Sequence, residues 1–205
     1  DNPTNQLGTE QVFEHIQTAN AAMAGLYADL RDRSIISGAG GHTAGSLTAS
    51  YTDDLDCYIY NLEGNGARDI YHNQQQETNT NIRSVWNTAY EQIYYANSII
   101  HGADLSKVLS DEDKNQLKGE ALLIRSLLYF YLQRLFGAIP YTTSIDYEYN
   151  RSLTKTESAV LLEQLESDLN EAISLLNDNY RNAQRIYPNR KVAELVLANV
   201  YLTEQ

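Results

Sequence analysis

The sequence predicts an all-α fold of helical hairpins separated by long irregular insertions, and three observations carry that reading. Apolar residues recur at i, i+3, i+4 and i+7 along several long segments. Helix start and stop signals bracket those segments, Ser110 and Gly137 most clearly. Two of the predicted helix pairs also repeat one another's order of large, small and aromatic residues. The centre of the arrangement is Gly119 to Pro140, GEALLIRSLLYFYLQRLFGAIP, the most apolar stretch of the chain. Ala121, Leu122, Ile124, Arg125, Leu128, Tyr129, Leu132 and Leu135 form a stripe too wide for a surface helix. Small Ala121 and Ser126 on that face predict close approach by a neighbouring helix.

Residues 1–8 read as an extended lead-in, because Pro3 disfavours helix at Asn2. From the capping residue Thr9 one helix is predicted through Arg33. Val12, Ile16, Ala19, Met23, Leu26 and Leu30 form its stripe, and Gly25 is expected at a tight contact. Residues 34 to about 75 mix Gly, Asn, Asp and Tyr, and no period lasts long enough to predict a helix. So long an excursion within a helical domain is often functional. A second long helix begins near Thr80, with Ile82, Val85, Trp86, Ala89, Ile93, Ala96, Asn97 and Ile100 on its apolar face and Gly102 as its expected end. Ser110 with Asp113 opens the helix that runs into the central stretch, its early acids favoured by the helix dipole. Residues 138–155 are irregular. Thr156 is expected to cap the next helix, striped by Leu162, Leu165, Leu169, Ala172, Ile173 and Leu176, and a last helix follows Pro188. The sequence stops within it, and the expectation is a domain over 1–205 that is truncated at its C-terminus. The opening at Asp1 shows no signal peptide and reads as a mature or trimmed product.

The repeat sits in the helix pairs on either side of the second insertion. Ile93, Ala96, Ile99 and Ile100 match Leu169, Ala172, Leu175 and Leu176; Ala121, Ser126 and Tyr129 match Ala193, Ala198 and Tyr201. A small residue where helices approach and a large one where the next layer fills in is what stacked hairpins need. The units are tetratricopeptide-like.

Composition excludes several functions. A formal net charge of −12 without any basic cluster argues against nucleic-acid binding. Cys57 is the only cysteine, so neither an intramolecular disulfide nor a Cys-rich zinc site can form. The four histidines lack ligand spacing, and no stretch is long and apolar enough to cross a bilayer. Neither a metal nor another cofactor is expected. For catalysis the best candidates are Asp53, Asp54, Asp56, Glu63 and Asp69. They lack calcium-loop spacing and read better as solvated acids than as a hydrolytic pair. The glycines between Gly38 and Gly45 have no following Lys-Ser/Thr and make no phosphate loop.

A binding role fits better than an enzyme. Tyr51, Tyr58, Tyr60, Tyr71 and His72 alternate with Asp56, Asn61, Asn65, Arg68 and Asp69. Sugars present C–H faces that stack on aromatic rings and hydroxyls that bond to amides and carboxylates. The bland alternative is that these tyrosines pin a long loop to the helices. Trp86 and Tyr90, at helical spacing, read as core.

Several runs together carry a family resemblance: the opening DNPTNQ, GLYADL, W-x3-Y-x2-I-x2-AN-x-II from Trp86 to Ile100, GEA-x3-R-x3-YF-x4-R-x-FG-x-IPY from Gly119 to Tyr141, and DL-x2-A from Asp168 to Ala172. They resemble the N-terminal part of the SusD/RagB family of nutrient-binding outer-membrane lipoproteins. The resemblance implies surface display in Bacteroidetes-type bacteria, lipid anchoring through a cysteine just before Asp1, and a SusC-like TonB-dependent transporter as partner. It implies capture of a glycan, or in some members a peptide, without catalysis. The expected ligand-binding residues are Tyr58, Tyr60, Asn61, Asn65, Asp69, Tyr71 and His72. The alternative of another class is a helical-repeat module that binds only protein.

Overall fold

A computed structural model describes residues 9–37, 43–58 and 66–203, and among these the regular structure is helical. The elements are α1 (Thr9–Val12), α2 (Ile16–Arg33), α3 (Ala44–Tyr51), α4 (Gly66–Tyr71), α5 (Thr80–Leu105), α6 (Asp111–Phe136), α7 (Tyr147–Arg151), α8 (Ser158–Leu175) and α9 (Arg190–Thr203). They fall into two compact units, one of residues 27–92 and one of residues up to 26 with those from 93 onward, the boundary lying within α2 and α5.

In the larger unit, α6 is the hub. Leu117, Leu122, Leu128, Tyr129 and Leu132 have almost no exposure, and Ala121 and Ser126 have none. Each fully buried Leu contributes roughly 1.5–3 kcal/mol. Ser110 caps α6 by accepting from the Asp113 amide at 3.1 Å. Gly137 ends it at φ 72°, a conformation that strains residues carrying a Cβ. Polar contacts give the helix order: Arg125 meets Asn97 and Lys118 meets Asp104, so α5 and α6 run antiparallel. Arg125 also meets Asp168 while Lys118 meets Glu171, so α8 lies antiparallel on another side of α6. Tyr201 to Glu166 and Arg190 to the Ile173 carbonyl set α9 antiparallel to α8. This is the tetratricopeptide-like succession of hairpins.

Four details differ from the sequence reading. The first helix breaks at residues 13–15, where Phe13 turns inward and the Thr18 hydroxyl donates to the His15 carbonyl at 2.8 Å. Gly25 is not a packing contact, since a Cβ there would meet nothing within 4 Å. Gly102 does not end α5; it lies in the helix, and a Cβ on it would fall 2.1 Å from the Phe13 ring. The α8 N-cap is Glu157, without a side-chain cap bond, and Thr156 lies one residue earlier with its amide donating to the Ile139 carbonyl at 2.9 Å. The insertions also hold short helices, α3, α4 and α7, too brief for a period to show. The boxed cap Thr43–Ser46 starts α3.

In the smaller unit, Arg33 bridges to Glu91 at 3.1 Å and the Gln92 side chain donates to Asp29 Oδ2 at 2.8 Å, which ties α2 to α5. α3 packs against α4. Asn79 links α4 to α5: its Nδ2 donates to the Gly66 carbonyl and its Oδ1 accepts from the Asn81 and Ile82 amides. Gly66 must be small there, as a Cβ would lie 2.9 Å from Asn79 Oδ1.

Candidate ligand-binding site

Of the seven residues expected to bind ligand, Tyr60, Asn61 and Asn65 lie outside the described residues. The other four are in the smaller unit. Tyr58 follows α3 with 74% of its surface exposed, Asp69 and Tyr71 belong to α4, and His72 is exposed just after it. Asp56 joins two of them, Tyr58 and Tyr71. Its Oδ2 accepts from the Tyr58 hydroxyl at 3.5 Å and its Oδ1 from the Tyr71 hydroxyl at 3.4 Å. At those lengths the bonds are weak and easily exchanged for bonds to water or a ligand. The Tyr71 and His72 rings meet edge to face, centroids 5.1 Å apart. The loop therefore presents two phenols on one carboxylate, with a further ring edge beside them. Asp56 itself was not among the expected binding residues, although its place two positions before Tyr58 is the signal that points to it. Asp53 stands at φ 62°, and Asp54 accepts from the Thr52 hydroxyl at 2.9 Å.

The residues of the two long sequence motifs go elsewhere. Arg125 donates through Nε and Nη2 to both oxygens of Asp168, at 2.9 and 2.7 Å, and through Nη1 to Asn97 Oδ1 at 2.8 Å. Asn97 Nδ2 donates to the Thr142 carbonyl at 3.2 Å. The Tyr129 hydroxyl donates to that carbonyl at 3.1 Å and accepts from the Thr142 amide at 2.9 Å. Tyr141 donates to Asp168 at 3.3 Å, and its ring lies 4.9 Å from that of Tyr129. Burial pushes the phenols of Tyr129 and Tyr141 well above the usual phenol range. Burial likewise pushes the Asp168 carboxyl up, opposed by the guanidinium bonded to it. Asn97, Arg125 and Asp168 are buried, and the one guanidinium faces the one carboxylate. This network fastens three helices and the strap at 139–142. It is scaffold. Trp86 and Tyr90 pair at 5.0 Å and are both half-buried, so they are neither fully core nor an open platform.

A family described as SusD-like, "Starch-binding associating with outer membrane", matches residues 10–202. The chain belongs to the SusD-like family. In Formosa agariphila, SusD-like protein P2 is 30% identical over 211 residues and SusD-like protein P25 is 25% identical over 213. Those alignments take in 99% and 100% of this chain but only 39% of each relative. A solved structure described as a laminarin binding SusD-like protein superposes with a TM-score of 0.78 at 23% identity, over 92% of this chain and 40% of that one. At that identity the likeness speaks for the fold. Five residues of the SusD-like motifs read in the sequence, Asn97, Arg125, Tyr129, Tyr141 and Asp168, belong to the buried network and mark how the hairpins are joined.

Among the described residues no helix is long and apolar enough to cross a membrane, and no three potential ligating side chains converge on a metal position. The family's description places it at the outer membrane.

Proposed function

We propose that this chain is the N-terminal helical domain of a longer surface protein that captures a glycan and delivers it to a SusC-like TonB-dependent outer-membrane transporter, without chemistry of its own. The observation that carries the reading is the family match across residues 10–202, in a family described as starch-binding. A solved relative of the same fold is described as laminarin binding, which widens the candidate ligands to other neutral glucans. The ligand face is the loop gathered on Asp56, with Tyr58, Tyr60, Asn61, Asn65, Asp69, Tyr71 and His72 as contributors. Its exposed Tyr58 and half-buried Tyr71 phenols sit on long hydrogen bonds that a sugar hydroxyl can replace. The hairpins serve as scaffold and as the surface that docks on the transporter, and a lipid anchor outside this sequence holds the protein on the extracellular face.

The test is calorimetry of the full-length protein against a glycan panel that includes starch and laminarin oligosaccharides. Native protein is expected to bind at least one, and Tyr58→Ala with Tyr71→Ala to weaken that binding about tenfold. Binding of peptides with no glycan bound would move the protein to the peptide-capturing branch of the family. Recovery of the transporter without any small ligand would leave a protein-interaction module.

A further inference from the structure

The mixture of amides, carboxylates and aromatic rings that marks the Tyr58–His72 loop recurs in the larger unit. A cleft of about 450 Å³ lies where the start of α6, the start of α2 and the turn between α8 and α9 meet, all within the larger unit. Its walls carry the amides Asn20, Gln116, Asn177 and Asn179, the carboxylates Glu112 and Asp113, the Tyr180 ring and the Arg181 guanidinium. We infer that this cleft is a second saccharide-binding site, for one or two residues of a neutral glycan. The inference rests on the glycan-capture reading above and adds a place to it.

Three features argue for a ligand rather than a chance dent. Its walls are held in advance. Arg181 reaches the fully buried Glu120 carboxylate at 3.4 Å, donates to the Asn20 side chain and stacks at 4.9 Å over Tyr187. Tyr180 lies under the Arg185 guanidinium at 5.5 Å, and Arg185 takes the left-handed φ of 55° that few residues accept without a compensating contact. The turn is tied down by Arg190 N–H to the Asn177 carbonyl at 2.9 Å and Asn189 to the Asp178 carbonyl at 2.7 Å. Such preorganisation lowers the ordering cost of binding.

The second feature is spare hydrogen-bonding capacity. The side chains of Asn177, Asn179 and Glu112 make no hydrogen bond or ion pair among the described residues. A sugar hydroxyl both donates and accepts, so a wall mixing carboxylate acceptors, a guanidinium donor and amides that do both can meet adjacent hydroxyls at once. The third is charge. Arg181 is already opposed by Glu120, while Glu112 and Asp113 add two negative side chains at the rim, where α6 begins. That disfavours anionic sugars and phosphates and admits neutral ones.

The test uses the full-length protein, titrated calorimetrically with laminarihexaose and with maltohexaose, beside Asn179→Ala and Tyr180→Ala, each checked by thermal melting. Both residues are exposed on a turn, so the variants are expected to melt within a few degrees of native. Affinity for at least one hexasaccharide is expected to fall about tenfold. Crystals soaked in the hexasaccharide that binds should show it against Asn179 and Tyr180. If native protein binds a hexasaccharide and both variants bind it equally well, with the sugar seen elsewhere, the second site is overturned while glycan capture stands. Binding of neither hexasaccharide, nor of any glycan in the wider panel, overturns both readings. Should Tyr180→Ala unfold, Asn179→Ala and the soaked crystal decide the matter.

Discussion

The buried network around Arg125 and the Tyr-rich loop around Asp56 are built from the same kinds of residue and do opposite things. Both combine tyrosine hydroxyls with Asp, and Asn and Arg recur in each stretch of sequence. In the network the bonds to the Arg125 guanidinium run from 2.7 to 2.9 Å and the partners are buried. In the loop the bonds to Asp56 are 3.4 and 3.5 Å, and Tyr58 stands in solvent. Residue type therefore does not separate scaffold from site. What separates them is burial: Asn97, Arg125, Tyr129 and Asp168 are enclosed, whereas Asp56 and Tyr58 are exposed.

The sharpest way to break the comparison is to remove one hydrogen-bonding side chain from each place. Asp168→Asn leaves Arg125 buried without its counter-charge and is expected to cost about 3–5 kcal/mol in urea denaturation. Tyr71→Ala in the loop is expected to change stability by less than about 0.5 kcal/mol in the same measurement. A large loss at Tyr71 would make that loop structural after all. Glycines give a second, smaller contrast. Gly102→Ala forces a methyl into the Phe13 ring and should destabilise by about 1–3 kcal/mol. Gly25→Ala meets open space within α2 and should stabilise by about 0.5–1 kcal/mol.

Proton linkage provides the gentlest probe. Tyr129 and Tyr141 hold their protons more tightly in the folded chain than in the unfolded one. Their contribution is complete below the unfolded phenol pKa of about 10 and is lost as pH rises from there through the higher folded values. Thermal melts should therefore fall in midpoint from pH 9 to 11.5, and Tyr141→Phe should flatten that slope.

The long helices were legible because their stripes last for several turns. The Gly119–Pro140 stretch, its Ser110 cap and its Gly137 stop all stand where the sequence placed them. The break at residues 13–15 was not legible, since neither Gly nor Pro marks it and the contact of Phe13 with Gly102 is tertiary. α3, α4 and α7 escaped because two turns or fewer cannot establish a period. The candidate site was half legible. Composition marked Tyr58 and Tyr71, but that they share Asp56 is a tertiary fact. The cleft at Asn20, Gln116 and Asn179 was invisible, because its residues come from three distant segments of which none is remarkable in composition.

One consequence of the Arg125–Asp168 pair concerns rotation. The middle of α6 is buried on several sides, so apolar packing alone fixes its rotation only weakly. Successive residues are about 100° apart around its axis, so a one-residue slip would swing the guanidinium far from Asp168 and Asn97. Both would then be left desolvated and unanswered. The pair thus works as a keyway does on a shaft: it adds little grip, and it permits a single angle of assembly.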